Sequence, residues 1–127
     1  MHRAAILVVE KSPRWESELK RQFLGDPVEV RACRSTRDVD RQIDRQPGGG
    51  VIVLDLGSGE AEMLQFLRRR DRQRPGWPAL VVAHREAAEL EWAVRELGAL
   101  DFLVDPVPSE RLAEACRRGL PNLQETT

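Results

Sequence analysis

The sequence predicts an α/β domain in which five strands alternate with five helices around a parallel sheet. Three observations carry that reading. Four short runs, residues 4–9, 51–54, 79–83 and 102–104, are apolar at consecutive positions, as expected of strands buried on both faces. The segments between them carry apolar residues three and four apart, the period of a helix. The length, 127 residues, suits one hydrophobic core of common domain size.

Each element follows in turn. The apolar part of the first strand, residues 4–9, is too short for a signal peptide or a membrane span. Ser12 and Pro13 supply an N-cap and a first-turn proline for a helix in which Trp15, Leu19 and Phe23 recur every four residues, and Gly25 closes it. Residues 28–32 alternate and so predict an edge strand. The second helix runs from Ser35 to Gln46 with Val39 and Ile43 inward, and Pro47-Gly48-Gly49-Gly50 ends it. After the strand at 51–54, a third helix from about Glu60 to Arg70 turns Met63, Leu64 and Leu67 inward and stops before Pro75-Gly76-Trp77-Pro78. The fourth covers about Glu86 to Leu97, with Leu90, Ala93, Val94 and Leu97 on one stripe and Gly98 at its end. Trp92 falls off that stripe, about 200° from Leu90, and is expected on its flank. The fifth helix is capped by Ser109, has Glu110 in its first turn, and turns Leu112, Ala113 and Cys116 inward. Residues 1–120 should form one domain without repeat or linker, and 121–127 a frayed tail.

Alternating strands and helices require right-handed crossovers and a parallel sheet. Five such units predict the doubly wound, flavodoxin-like (βα)5 order 2-1-3-4-5, with a site at the carboxyl ends beside the switch between strands 1 and 3. Glu10, Lys11 and Ser12 follow the first strand, residues 55–59 the third, Ala83 and His84 the fourth, and Asp105-Pro106 the fifth. Three acids and a lysine therefore meet at one edge.

Composition narrows the function. Twenty basic residues oppose 21 acidic ones for a net charge of -1, which argues against a nucleic-acid or membrane partner for this domain alone. Cys33 and Cys116 have no metal-ligand spacing and read as reduced thiols of a cytoplasmic protein. Only Lys11 and Lys20 are lysines among the basic residues.

Residues 6–13 (ILVVEKSP), 51–56 (VIVLDL) and above all 98–107 (GALDFLVDPV) resemble the receiver domain of two-component response regulators over nearly the whole chain. The last block is close to that family's Gly-Ala-x-Asp-Phe-Leu-x-Lys-Pro signature. The resemblance implies a pocket in which two acids after strand 1 and an acceptor aspartate after strand 3 hold Mg²⁺. A hydroxyl after strand 4 and a lysine after strand 5 would bind phosphoryl oxygens, because the cations must neutralise developing charge.

This chain keeps the acceptor as Asp55 and departs elsewhere. The acid pair is Glu10-Lys11, the hydroxyl position is Ala83, the lysine position is Asp105, and the switch position is Phe102. A cation is missing where phosphate would bind and present where metal would bind. The expectation is that the Lys11 ammonium sits among Glu10, Asp55 and Asp105 as a built-in counter-ion, since buried carboxylates must pair or neutralise. No cofactor, metal site or enzymatic activity is then expected, and Asp55 is vestigial.

The resulting reading is a degenerate receiver, a phosphorylation-independent interaction module of bacterial signalling. Its partner is another signalling protein or a second copy, bound through the face of helix 4, strand 5 and helix 5 with Trp92, Arg95, Asp101 and Arg111. A phosphoaspartate-forming regulator with atypical chemistry at Asp55, or a small-ligand sensor at the strand edge, are the alternatives. His84 is expected in a solvated loop over the pocket mouth, Gly57-Ser58-Gly59 as a flexible loop, Trp15 in the core beside the pocket and Trp77 packed in a loop. The Arg68-Arg69-Arg70 run, with Arg72 and Arg74, reads as a solvated helix end.

Overall fold

Five strands, β1 (Ala4–Val9), β2 (Val28–Cys33), β3 (Gly50–Asp55), β4 (Ala79–Ala83) and β5 (Asp101–Val104), pair in parallel in the order β2-β1-β3-β4-β5. The computed structural model describes residues 3–73 and 77–121. Helices α1 (Trp15–Gln22), α2 (Thr36–Asp44), α3 (Glu60–Gln73), α4 (Glu91–Glu96) and α5 (Ser109–Gly119) connect and cover the strands, with 3₁₀ segments at Leu56–Ser58 and Arg85–Leu90. The predicted fold class and strand order are those observed. The expected fraying beyond Pro121, the stop at Pro75-Gly76 and the contribution of Arg72 and Arg74 concern positions whose side chains or backbone lie outside the described residues. Among the described residues, no helix is long and apolar enough to cross a membrane.

Strand residues alternate between two cores, one on each face of the sheet. Ile6, Val8, Val51 and Val53 pack with Trp15, Leu19, Phe23, Leu112 and Cys116 under α1 and α5. Leu7, Val9, Ile52 and Leu54 pack with Val39, Ile43, Met63, Phe66, Leu67 and Val94 under α2, α3 and α4. Helix α3 continues past Arg70, and Phe66 joins the inward set beside the expected Met63 and Leu67. Trp77 is buried, as expected, and its ring presses on Gly50 at the start of β3.

Three helix starts differ from expectation. Helix α1 begins at Trp15 rather than Pro13, because the Glu10 carboxylate caps it in place of Ser12: Oε1 and Oε2 accept from the Trp15 and Glu16 amides, both at 3.0 Å. Ser35 does cap α2, accepting from the Asp38 amide. Ser109 does not cap α5; it lies within the helix, and its hydroxyl donates to Glu18 Oε2 at 2.7 Å, fastening α5 to α1. The expected fourth helix is divided, its first half being the 3₁₀ segment Arg85–Leu90. The tighter turn shifts the phase of the stripe, so Ala87 and Val94 are buried, Leu90 and Leu97 partly so, and Ala93 is exposed.

The two cysteines are free and buried, Cys33 on β2 and Cys116 on α5. Burial pushes both thiols up to about 12 from an ordinary value of 9.0. A raised folded-state value means that the unfolded chain loses protons first as pH rises. This contribution to stability is therefore complete below about pH 9 and lost between about 9 and 12. Ellman's reagent at pH 8 should react with neither thiol in the folded protein and with both in denaturant; fast reaction of the native protein would contradict their burial.

Candidate functional site

The carboxyl ends of the strands surround a cavity of about 440 Å³ whose lining includes Lys11, Arg14, Asp55, Ser58, His84 and Asp105. The parallel sheet brings Lys11, Asp55, His84 and Asp105 to this edge because β1 and β3 are neighbours while their following loops diverge, and Arg14, which the sequence reading did not place here, joins them. Ala83, fully buried at the end of β4, presents no hydroxyl. Glu10 is buried, but both its oxygens face the α1 amides.

Asp55 ends β3 half-buried. Its Oδ2 accepts from the Ser58 hydroxyl at 2.9 Å and its Oδ1 from the Gly57 amide at 3.3 Å. The Ser58 oxygen in turn accepts from the Lys11 amide at 2.8 Å. Residues expected to form a flexible loop are thus a 3₁₀ turn wrapped over the carboxylate and tied to the β1 loop.

The expected Lys11 counter-ion is replaced by another cation. The Lys11 side chain is exposed, and its ammonium makes no ion pair with a described residue. Asp105 instead meets Arg14, whose Nη2 lies 3.2 Å from Oδ1 and whose Nη1 donates to Oδ2 at 3.3 Å. The Arg14 guanidinium also stacks on the Trp15 ring, 3.9 Å from its centroid. That ring is fully buried, so it fixes the guanidinium plane from below. The difference follows from the helix start: with α1 beginning at Trp15 rather than Pro13, Arg14, not Lys11, reaches Asp105.

His84 stands at the pocket mouth as expected, partly exposed, with Nδ1 3.0 Å from Glu86 Oε2. The Glu86 carboxyl is held below its usual range by its own backbone amide and then by His84. Phe102 is buried in the core on the α4 side of the sheet.

The residues do not fit a magnesium site. That ion takes several oxygen ligands in near-octahedral array. Here the Glu10 oxygens are engaged by amides, Lys11 occupies the adjoining position, and Asp105 faces a guanidinium.

The second group expected from sequence lies on α4, β5 and α5. Asp101, 7% exposed, accepts from the Phe102 amide at 2.8 Å, Arg95 Nη2 at 3.0 Å and Arg118 Nη2 at 2.7 Å. Arg95 also holds Glu91, and Arg118 lies 3.8 Å from Glu114. These charges form a closed intramolecular chain, while Trp92, 73% exposed, and Arg111 remain outside it.

Comparison with known proteins agrees with the fold. No protein-family model matches the chain. A protein-glutamate methylesterase/protein-glutamine glutaminase of Treponema pallidum (strain Nichols) is 31% identical over 111 residues, covering 84% of this chain and 27% of that protein. The C4-dicarboxylate transport transcriptional regulatory protein DctD of Pseudomonas aeruginosa is 26% identical, over 91% of this chain and 25% of its own length. The chain thus spans about a quarter of the curated relatives it matches. Among solved structures, a response regulator receiver domain protein from Clostridium thermocellum superposes with a TM-score of 0.77 at 18% identity, covering 98% of this chain and 99% of that one. The receiver domain of the TMAO respiratory system response regulator TorR gives 0.76 at 21% identity, over 91% and 94%.

Proposed function

We propose, taking the fold of a response-regulator receiver domain as premise, that this is a degenerate receiver: an interaction module that works without phosphorylation. The observation that carries the reading is the Arg14–Asp105 pair. Where the receiver pattern has a lysine for phosphoryl oxygens, this chain has a carboxylate already neutralised by its own guanidinium. An arriving phosphoryl group would find no lysine there, a guanidinium already engaged by a carboxylate, and no hydroxyl at Ala83. Asp55, moreover, accepts hydrogen bonds from Gly57 and Ser58 at its two oxygens, which draws charge from the carboxylate and weakens it as a nucleophile.

The partner face of the proposal is that of α4, β5 and α5. Arg95 and Asp101 shape it by binding each other, whereas Trp92 and Arg111 are the groups free to contact another signalling protein or a second copy. Exposed tryptophan is a side chain on which binding energy concentrates.

Incubating the protein with Mg²⁺ and acetyl phosphate, followed by intact-mass measurement, tests the reading. The expected spectrum shows the unmodified chain. A stoichiometric phosphate increment mapped to Asp55 would overturn it and favour a phosphoaspartate-forming regulator.

A further inference from the structure

The outer ridge of α2 carries a row of three arginines that form no ion pair with the described residues of the fold. Arg37 and Arg41 lie one turn apart, and Arg45 is the C-cap residue one turn further on. At 3.6 residues per turn they fall within about 80° of one another and span about 12 Å. Val39 and Ile43, on the opposite side, are buried in the core. All three arginines are exposed, and their guanidiniums make no hydrogen bond or ion pair with a described residue.

The acids of the helix do not neutralise them: Asp44, on the same face as Arg37, bonds to none of the three. Asp40 is 3.1 Å from Arg69 of α3. Asp38 lies on the other flank, half-buried beside the Ser35 cap. Like charges one turn apart weaken a helix. Arg37, in the first turn, also faces the positive end of the helix dipole. Arg41 and Arg45 have an ordinary structural use at the helix C-terminus; Arg37 has none.

We propose that this ridge docks an acidic helix of a partner protein, one with carboxylates a turn apart. Guanidinium forks pair with carboxylates at two points, and an acidic helix presents them at the same spacing as the ridge. A groove of about 330 Å³ beside Arg37, lined also by Thr36, Glu62, Gln65, Phe66 and Arg69, leaves room for a side chain at its α3 flank, and the Glu62 carboxylate there already accepts from the Thr36 amide and hydroxyl. A nucleic-acid duplex fits less well. It is broader than the ridge and would bring phosphates over Asp38 and Asp40. Phe66 lines the groove beside Arg37 but is 1% exposed, the other phenylalanines, Trp15 and Trp77 are buried, and Trp92 lies on α4, so no exposed ring flanks the ridge for base stacking. The surface lies on a different face from the α4–β5–α5 surface, and the proposal is independent of whether Asp55 accepts phosphate.

The test is fluorescence anisotropy at low salt with a labelled alanine-based helical peptide carrying glutamate at i, i+4 and i+8. Its glutamine counterpart and a short DNA duplex serve as comparison probes. The parent should bind the glutamate peptide in a salt-sensitive manner and the other two more weakly. The triple variant Arg37→Gln, Arg41→Gln, Arg45→Gln should lose about tenfold or more in affinity, as three exposed charge pairs imply. Its thermal midpoint should not fall. A charge-matched control, Arg3→Gln, Arg21→Gln, Arg85→Gln, should retain binding. The proposal is overturned if the parent ignores the glutamate peptide, if both triple variants lose equally, or if DNA binds more tightly. A salt-sensitive dimer abolished by the ridge substitutions would also overturn it, by making a second copy the occupant.

Discussion

Gly50→Ala should destabilise the domain by about 3 kcal/mol or more, as forced overpacking of a rigid core does. A Cβ built at Gly50 lies 1.9 Å from the Ala5 carbonyl oxygen and 2.7 Å from the Trp77 ring. Neither neighbour can yield cheaply. Ala5 sits in the central strand β1, in register with Gly50, and its amide is bonded to the Gly49 carbonyl at 3.0 Å. Trp77 is 7% exposed and closes the core at the amino end of β3. The β1–β3 pair would have to separate, and the Trp77 ring would have to leave its place. Urea unfolding should show a midpoint lowered by about 1–2 M at unchanged slope. A midpoint equal to the parent's would mean that the two backbones are not in such close approach. Should the variant not fold, Trp77→Ala reads the same contact from the other side and should be destabilised by a comparable amount, as aromatic truncation in a core generally is.

The other large effect is a gain. The triple variant Lys11→Asp, Ala83→Thr, Asp105→Lys should accept phosphate at Asp55 from acetyl phosphate and Mg²⁺, moving from no labelling to stoichiometric labelling. Each change supplies one missing element: an oxygen ligand after β1, a hydroxyl after β4 and a cation after β5. Because Lys11 and Asp105 exchange sign, the formal charge over Glu10, Asp55 and these two positions stays the same. Loss of the exposed Arg14–Asp105 pair should reduce stability by about 1 kcal/mol at most. Intact mass and Trp15 fluorescence on Mg²⁺ addition are the measurements. A correctly folded triple variant that stays unlabelled would place the block in the Ser58 turn or in the Glu10 cap instead of in the three substituted positions.

The strand order, the two-sided core and the gathering of Glu10, Asp55, Ala83, His84 and Asp105 at one edge were legible in sequence. Apolar runs and helical periods encode them, and chirality then leaves few topologies. What escaped was set by side-chain reach. Nothing local says that Glu10 caps α1 across the β1 loop, a role that the sequence assigns to Ser12. With that cap placed differently, the helix starts two residues later and the cation over Asp105 becomes Arg14. Ser109 was misassigned for a similar reason, since its hydroxyl finds Glu18, 91 residues away in sequence. With Val39 and Ile43 read as inward, Arg37, Arg41 and Arg45 fall on the outer face of α2; what the sequence does not reveal is that Asp40 turns to Arg69 instead of to them.

The division of the fourth helix has a mechanical consequence. Helix α4 has only six residues, too few to hold itself together in water, and the 3₁₀ segment before it has poorer hydrogen-bond geometry. Its main polar anchorage is Arg95, which reaches Asp101 on β5, and Asp101 in turn grips Arg118 on α5. Packing of Val94 and the Arg95 anchor hold α4 more than its own backbone bonds do, and the exposed Trp92 rides on it. A partner that seats Trp92 would therefore order a soft segment, and part of its binding free energy would go into stiffening α4 against the sheet.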